Sequence, residues 1–145
     1  MRKFTVLGEP VGKGRPKFST VNVFAKAYTP AKTTNFENLV RLSYQQQCNK
    51  VPYNQGEQLA AEISAFFQIP KSISKVKHDA MENGHIMPTK KPDCDNIAKA
   101  VLDALNGIAY YDDSQITHLI IRKFYSDTPR TEIVIRRIGN ESNQL

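Results

Sequence analysis

A chain of 145 residues, 40% hydrophobic and 23% charged, has the length and balance of a single globular domain and not of a disordered segment. No stretch approaches the ~18 apolar residues of a membrane span, and the run between Lys3 and Glu9 is too short for a signal-peptide core, so a soluble, cytoplasmic protein is expected. The net charge of +6 sits entirely in residues 1–32, where Arg2, Lys3, Lys13, Arg15, Lys17, Lys26 and Lys32 face Glu9 alone.

Residues 3–8 alternate well enough for a first strand, with Phe4 a core candidate. The segment GEPVGKGRPKFST that follows is broken by Gly8, Gly12, Gly14, Pro10 and Pro16 and reads as a loop; it lacks the closing Lys-Ser/Thr of a phosphate-binding P-loop. Thr34 and Glu37 have capping-box spacing, and Phe36, Leu39, Val40, Ser43 and Tyr44 share one helical face through about Cys48. From Leu59 to Ile69 the odd positions are apolar, which predicts a long strand with one buried face. A short helix near 73–82 precedes a polar, lysine-rich loop. The next helix runs from about Asn96 to Leu105, with the stripe Ile97, Val101, Leu102 and Leu105, Asp95 as N-cap and Gly107 as its stop. Two strands, Ile116–Tyr125 and Thr131–Ile138, follow across the turn Ser126–Arg130, and residues 140–145 read as a frayed tail. The order implies one α+β domain over 1–145: a small mixed or antiparallel sheet with helices on one face.

Charge distribution supplies the functional lead. The basic opening segment suits a polyanion, with Lys13, Arg15, Lys17 and Lys26 as candidates for phosphate contacts. Aromatic residues interleave with these charges, and Phe18, Phe24 and Tyr28 read equally as base-stacking or core residues. The window Pro92–Gln115 is the reverse, with Asp93, Asp95, Asp103, Asp112 and Asp113 against Lys99 alone. A divalent cation reconciles the two, because it lets carboxylates face a phosphate. Each acid also has an ordinary reading: Asp95 as a cap, Asp93 as a loop residue, Asp112-Asp113-Ser114 as a turn. Taken together, D-x-D before a helix, Lys99 one turn on and a later D-D favour a magnesium site. A lysine in the first helical turn opposes the macrodipole, which a role beside metal or phosphate explains. A helix of ~10 residues is about 15 Å long, so the chain must run back for the two acidic pieces to meet. Other chemistries fit less well. Cys48 and Cys94 are too few for a disulfide framework or a cysteine-built zinc centre. His78, His85 and His118 show no zinc spacing, and Cys94 between two aspartates is a poor nucleophile.

The runs KPDCDNIAKAVLDAL and DDSQI resemble the signature of the RusA family of Holliday-junction resolvases of bacteria and their phages, and PVGKGRPKF with a later YTP resembles its Gram-positive phage members. The resemblance extends from about Phe4 to Ile138. It implies an α+β homodimer that binds branched DNA and cuts it with Mg²⁺, for which Mn²⁺ is a possible substitute. Asp93, Asp95 and Asp113 match the family's metal-binding catalytic carboxylates and Lys99 its catalytic lysine, with Asp112 a neighbour. Cys94 is the visible departure, standing where many relatives carry a basic or aliphatic residue. A two-fold dimer also suits a junction that must be cut on two opposed strands. The alternative is a recombination accessory protein that binds branched DNA without cutting it.

Overall fold

The computed structural model describes residues 1–15, 17–19, 26–28 and 30–139, with residues 17–19 and 26–28 described by backbone alone. The elements are β1 (Arg2–Leu7), β2 (Lys17–Ser19), β3 (Lys26–Tyr28), α1 (Ala31–Gln47), β4 (Leu59–Gln68), α2 (Lys75–Glu82), α3 (Cys94–Ala104), a 3-10 turn (Asp113–Gln115), β5 (Ile116–Ser126) and β6 (Arg130–Arg137). Four strands form a mixed sheet in the order β1-β6-β4-β5, in which β4 and β5 run parallel and the other two pairs antiparallel. β2 and β3 make a separate two-stranded ribbon. The expected α+β class with a mixed sheet is therefore borne out, and helices α2 and α3 lie in the crossover between the parallel pair.

The alternation read in the sequence is the alternation that buries the sheet. Ala61, Ile63, Ala65 and Phe67 of β4 join Phe4 and Val6 of β1 and Ile133 and Ile135 of β6 in one core. Phe36, Val40 and Tyr44 of α1 and Ile97, Val101 and Ala104 of α3 contribute the helical half of that core. At ~1.5–3 kcal/mol for each fully buried large apolar side chain, this layer is the main source of stability. β5 departs from the pattern: it is an edge strand, and His118, Leu119 and Ile120 are exposed.

Three expectations need correction. The first helix begins at Ala31 behind Pro30, three residues before Thr34, and its N-cap makes no side-chain hydrogen bond. Proline suits the start of a helix because its missing N–H has no partner to lose there. Glu37 is thus not half of a capping box but a nearly buried residue, and its carboxylate accepts a hydrogen bond from Lys13 Nζ at 2.7 Å. At α3 the N-cap is Asp93, with extended backbone angles, and Asp95 lies inside the first helical turn. The D-x-D pair therefore straddles the helix boundary, with Asp93 extended and Asp95 helical. Finally, β5 and β6 are not a hairpin. They lie on either side of β4, β5 parallel to it and β6 antiparallel. The short helix expected near 73–82 is α2, capped by Ser74, whose side chain accepts from the Lys77 N–H.

Candidate active site and nucleic-acid interface

The basic loop after β1 is drawn onto the start of α3 by backbone and packing. The Lys13 N–H donates to the Asn96 carbonyl at 2.8 Å, and the Gly14 N–H donates to Thr33 Oγ1 at 2.9 Å. Close approach requires glycine here, since a Cβ on Gly12 would stand 2.6 Å from the Pro92 Cβ. The loop, the N-terminus of α1 and the cis Lys91–Pro92 segment enclose an open groove of about 750 Å³. Arg15, Lys32 and Lys91 line it together with Asp93. The electropositive segment and the first acidic piece, separated by some eighty residues of chain, thus meet at one surface.

Asp93, Asp95 and Lys99 are all exposed, and Asp93 forms no capping bond with its helix. Among the described residues, none of the three has an ion-pair partner. The positive end of the helix dipole favours carboxylates at this position. Lys99 follows Asp95 by one turn, on nearly the same helical face.

Lys13 turns out differently. Its ammonium lies 2.7 Å from Glu37 and 3.3 Å from Asp103, tying α1 to α3. Burial alone would lower its pKa, but the bonds to Glu37 and Asp103 outweigh it and hold the ammonium above its ordinary value. Lys13 lines the groove as well, with its charge shared between these two carboxylates. Lys17 and Lys26 lie in β2 and β3, and their side chains fall outside the described residues, as do those of Phe18, Phe24 and Tyr28.

The second acidic piece stands at the far end of α3. Gly107, in the left-handed region at φ 76°, turns the chain, and the Tyr110 hydroxyl returns to donate to the Leu102 carbonyl at 2.6 Å. Asp113 then meets Asn106, whose Oδ1 accepts from the Asp113 N–H at 2.7 Å and whose amide donates to Asp113 Oδ2 at 3.4 Å. Burial first, then contact with the Asp103 carboxylate and the charge of Asp112, raise the Asp113 pKa against the Asn106 bond that lowers it. Asp112 instead caps the 3-10 turn by accepting from the Ser114 N–H, and hydrogen bonds from the Ser114 side chain and then from that N–H lower its pKa. Eight residues of helix, about 12 Å, separate Asp95 from Asp103, the neighbour of Asp113. Within the chain, therefore, Asp113 does not converge with Asp93 and Asp95, and among the described residues they form no close ligand trio. Sequence reasoning missed the Lys13–Glu37–Asp103 contacts and Asn106. Asp103 was visible only as one more acid, and nothing local marks Asn106 as the partner of Asp113.

A mixed-sheet α+β domain that presents a D-x-D pair at a helix start, beside a basic groove, has the elements of a nucleic-acid-processing enzyme. The profile of endodeoxyribonuclease RusA matches residues 8–136, and the chain belongs to the RusA family of endodeoxyribonucleases. It is also 41% identical over 139 residues to the uncharacterized protein YqaN of Bacillus subtilis (strain 168), covering 94% of this chain and 96% of that protein. No helix among the described residues is long and apolar enough to cross a membrane.

Proposed function

We propose that this chain is a Mg²⁺-dependent, structure-selective endodeoxyribonuclease that resolves four-way DNA junctions by paired nicks, acting in the cytoplasm as a homodimer. The observation that carries this reading is the groove in which Arg15, Lys32 and Lys91 stand beside Asp93 at the start of α3. Exposed carboxylates without protein counter-charges are the hard oxygen donors that Mg²⁺ takes, so the donor set fits the ion. Asp93 and Asp95 hold it from one side. The length of α3 keeps Asp113 of the same chain away, which favours completion of the site by Asp113 of the partner subunit. When bound, the cation acidifies an attacking water and offsets charge on the leaving oxygen. Lys99 stabilises charge developing on the phosphoryl oxygens, while Arg15, Lys32 and Lys91 hold backbone phosphates without reading sequence. The products are 5′-phosphate and 3′-hydroxyl ends.

The test is incubation of a labelled immobile junction and a linear duplex with Mg²⁺ or EDTA, alongside Asp95→Asn. Symmetric Mg²⁺-dependent nicks in the junction alone, lost in the variant while junction binding persists, are expected. Cutting by Asp95→Asn at near the wild-type rate would remove Asp95 from the site. One observation favours a second reading, a branched-DNA-binding protein that does not cut: the three carboxylates do not converge within one chain. Tight junction binding without cleavage in Mg²⁺ and Mn²⁺ would establish it.

A further inference from the structure

Outside the groove, one set of metal-type donors is left without a role. Among the described residues, His78, Asp79 and Glu82 are the trio of His, Cys, Asp or Glu side chains whose donor atoms lie within 4.8 Å of one another. His78 Nδ1 is 3.6 Å from Asp79 Oδ1 and 3.6 Å from Glu82 Oε2. Both are ion-pair separations, longer than an ordinary hydrogen bond. They match the edge of a tetrahedron around zinc, about 3.3–3.6 Å for bonds of about 2.0–2.2 Å.

The opposite side of the imidazole is held as well. His78 Nε2 lies 2.9 Å from Asp127 Oδ2, in the turn between β5 and β6. A carboxylate accepting from one ring N–H leaves the other nitrogen's lone pair free, here facing two carboxylates; metal-bound histidines are commonly oriented in this way. The carboxylates of Asp127, Asp79 and Glu82 also pair with the protonated ring and favour it, so a cation at Nδ1 takes the place of that proton among the same donors.

The surrounding architecture gives such an ion something to do. α2 has no buried residue, so little apolar burial fixes it to the sheet. His78 reaches from α2 to the β5–β6 turn through Asp127, next to an open cavity of about 580 Å³ that Lys71 and Lys75 also line.

We propose that His78, Asp79 and Glu82 bind one zinc-type divalent ion, with Asp127 as the outer partner of His78, and that this ion clamps α2 to the β5–β6 turn. An imidazole nitrogen with two carboxylates selects a borderline transition ion over Mg²⁺.

The full chain is titrated with Zn²⁺ by calorimetry and with Co²⁺ by visible absorption, in millimolar Mg²⁺ to occupy hard-oxygen sites. One saturable equivalent is expected, with a Co²⁺ spectrum and a rise in melting temperature on Zn²⁺ addition. His78→Gln loses at least ~100-fold in affinity together with the thermal shift, and Asp127→Asn weakens binding by about 10–100-fold. Glu82→Gln is the second variant, expected to fold because Glu82 is exposed. No saturable uptake by the unaltered chain, or equal uptake by His78→Gln through Cys48, Cys94, His85 or His118, overturns the proposal. Unchanged affinity in Asp127→Asn removes the outer partner. DNA cleavage enters none of these readings, so the clamp stands or falls apart from the nuclease assignment.

Discussion

Lys13→Met removes one positive charge from a site that holds Glu37 and Asp103, with Asp113 touching Asp103 in turn. The replacement keeps most of the side-chain stem and strands the Glu37 carboxylate, which is only 12% exposed. Removing one partner of a buried pair costs about 3–5 kcal/mol, and exposure of Lys13 and Asp103 (18% and 30%) brings the expectation to about 2–3 kcal/mol. In a domain of this size, that is a fall of roughly 5–10 °C in melting temperature. Urea unfolding followed by far-UV circular dichroism measures it, with an unchanged m-value as the check on two-state behaviour. Because the lysine pKa is raised in the folded state, its contribution is complete below the unfolded value of ~10.4 and fades only as pH rises through the folded value. On the lysine side, then, the deficit should be level between about pH 6 and about pH 9. Adding Glu37→Met to Lys13→Met should restore at least ~1 kcal/mol, since no buried charge is then left alone. A loss under ~0.5 kcal/mol for Lys13→Met, the value of an exposed pair, would refute the reasoning.

Three other perturbations probe the site. Gly12→Ala places a Cβ 2.6 Å from Pro92 and 3.2 Å from Asn96, so the loop must lift off α3; the expected result is a stability loss of about 1–3 kcal/mol and slower cleavage, against which a variant of wild-type rate and stability would count. Replacing Arg15, Lys32 and Lys91 together with Ala should weaken junction binding and lower the slope of log affinity against log salt by up to about 3, and an unaltered slope would show that the groove does not touch phosphate. Tyr110→Phe deletes the bond to the Leu102 carbonyl that folds the 106–112 segment back on α3, and denaturant unfolding should register about 1 kcal/mol; no change would mean that the bond adds nothing to the folded state.

Period and punctuation in the sequence were enough to locate β1, β4, α3 and the last two strands within a residue or two; β1, β4, α3 and β6 bury a face whose spacing is written in adjacent residues, while β5 was found from its apolar and β-branched composition between turn signals. Where the reading went astray, the deciding contact was distant. Glu37 has the spacing of a capping box, yet its partner is Lys13 from another segment. Asp95 looked like the cap because it precedes the apolar stripe, while the helix begins one residue after Asp93. The placement of β5 and β6 on opposite sides of β4 depends on long-range pairing, which no local pattern encodes. The same holds for Asp113: its residue type was conspicuous, but its seat beside Asn106 follows from the turn at Gly107 and the return of Tyr110. The motif therefore announced the family, whereas the three-dimensional separation of its two halves emerged only with the fold.

The strand order has a consequence for how the chain is made. Among the described residues β1, the first strand, pairs only with β6, the last, and β6 also supplies one neighbour of β4. A ribosome that has delivered everything up to Pro129 has therefore produced two strands whose inner edges are still open. Closing the sheet joins Arg2–Leu7 to Arg130–Arg137 across nearly the whole sequence, the kind of distant contact that slows folding. Until that final strand emerges, β1 and β4 offer unpaired backbone to any extended peptide nearby. For this chain the hazardous interval is synthesis itself, and a release delayed between β5 and β6 would prolong it.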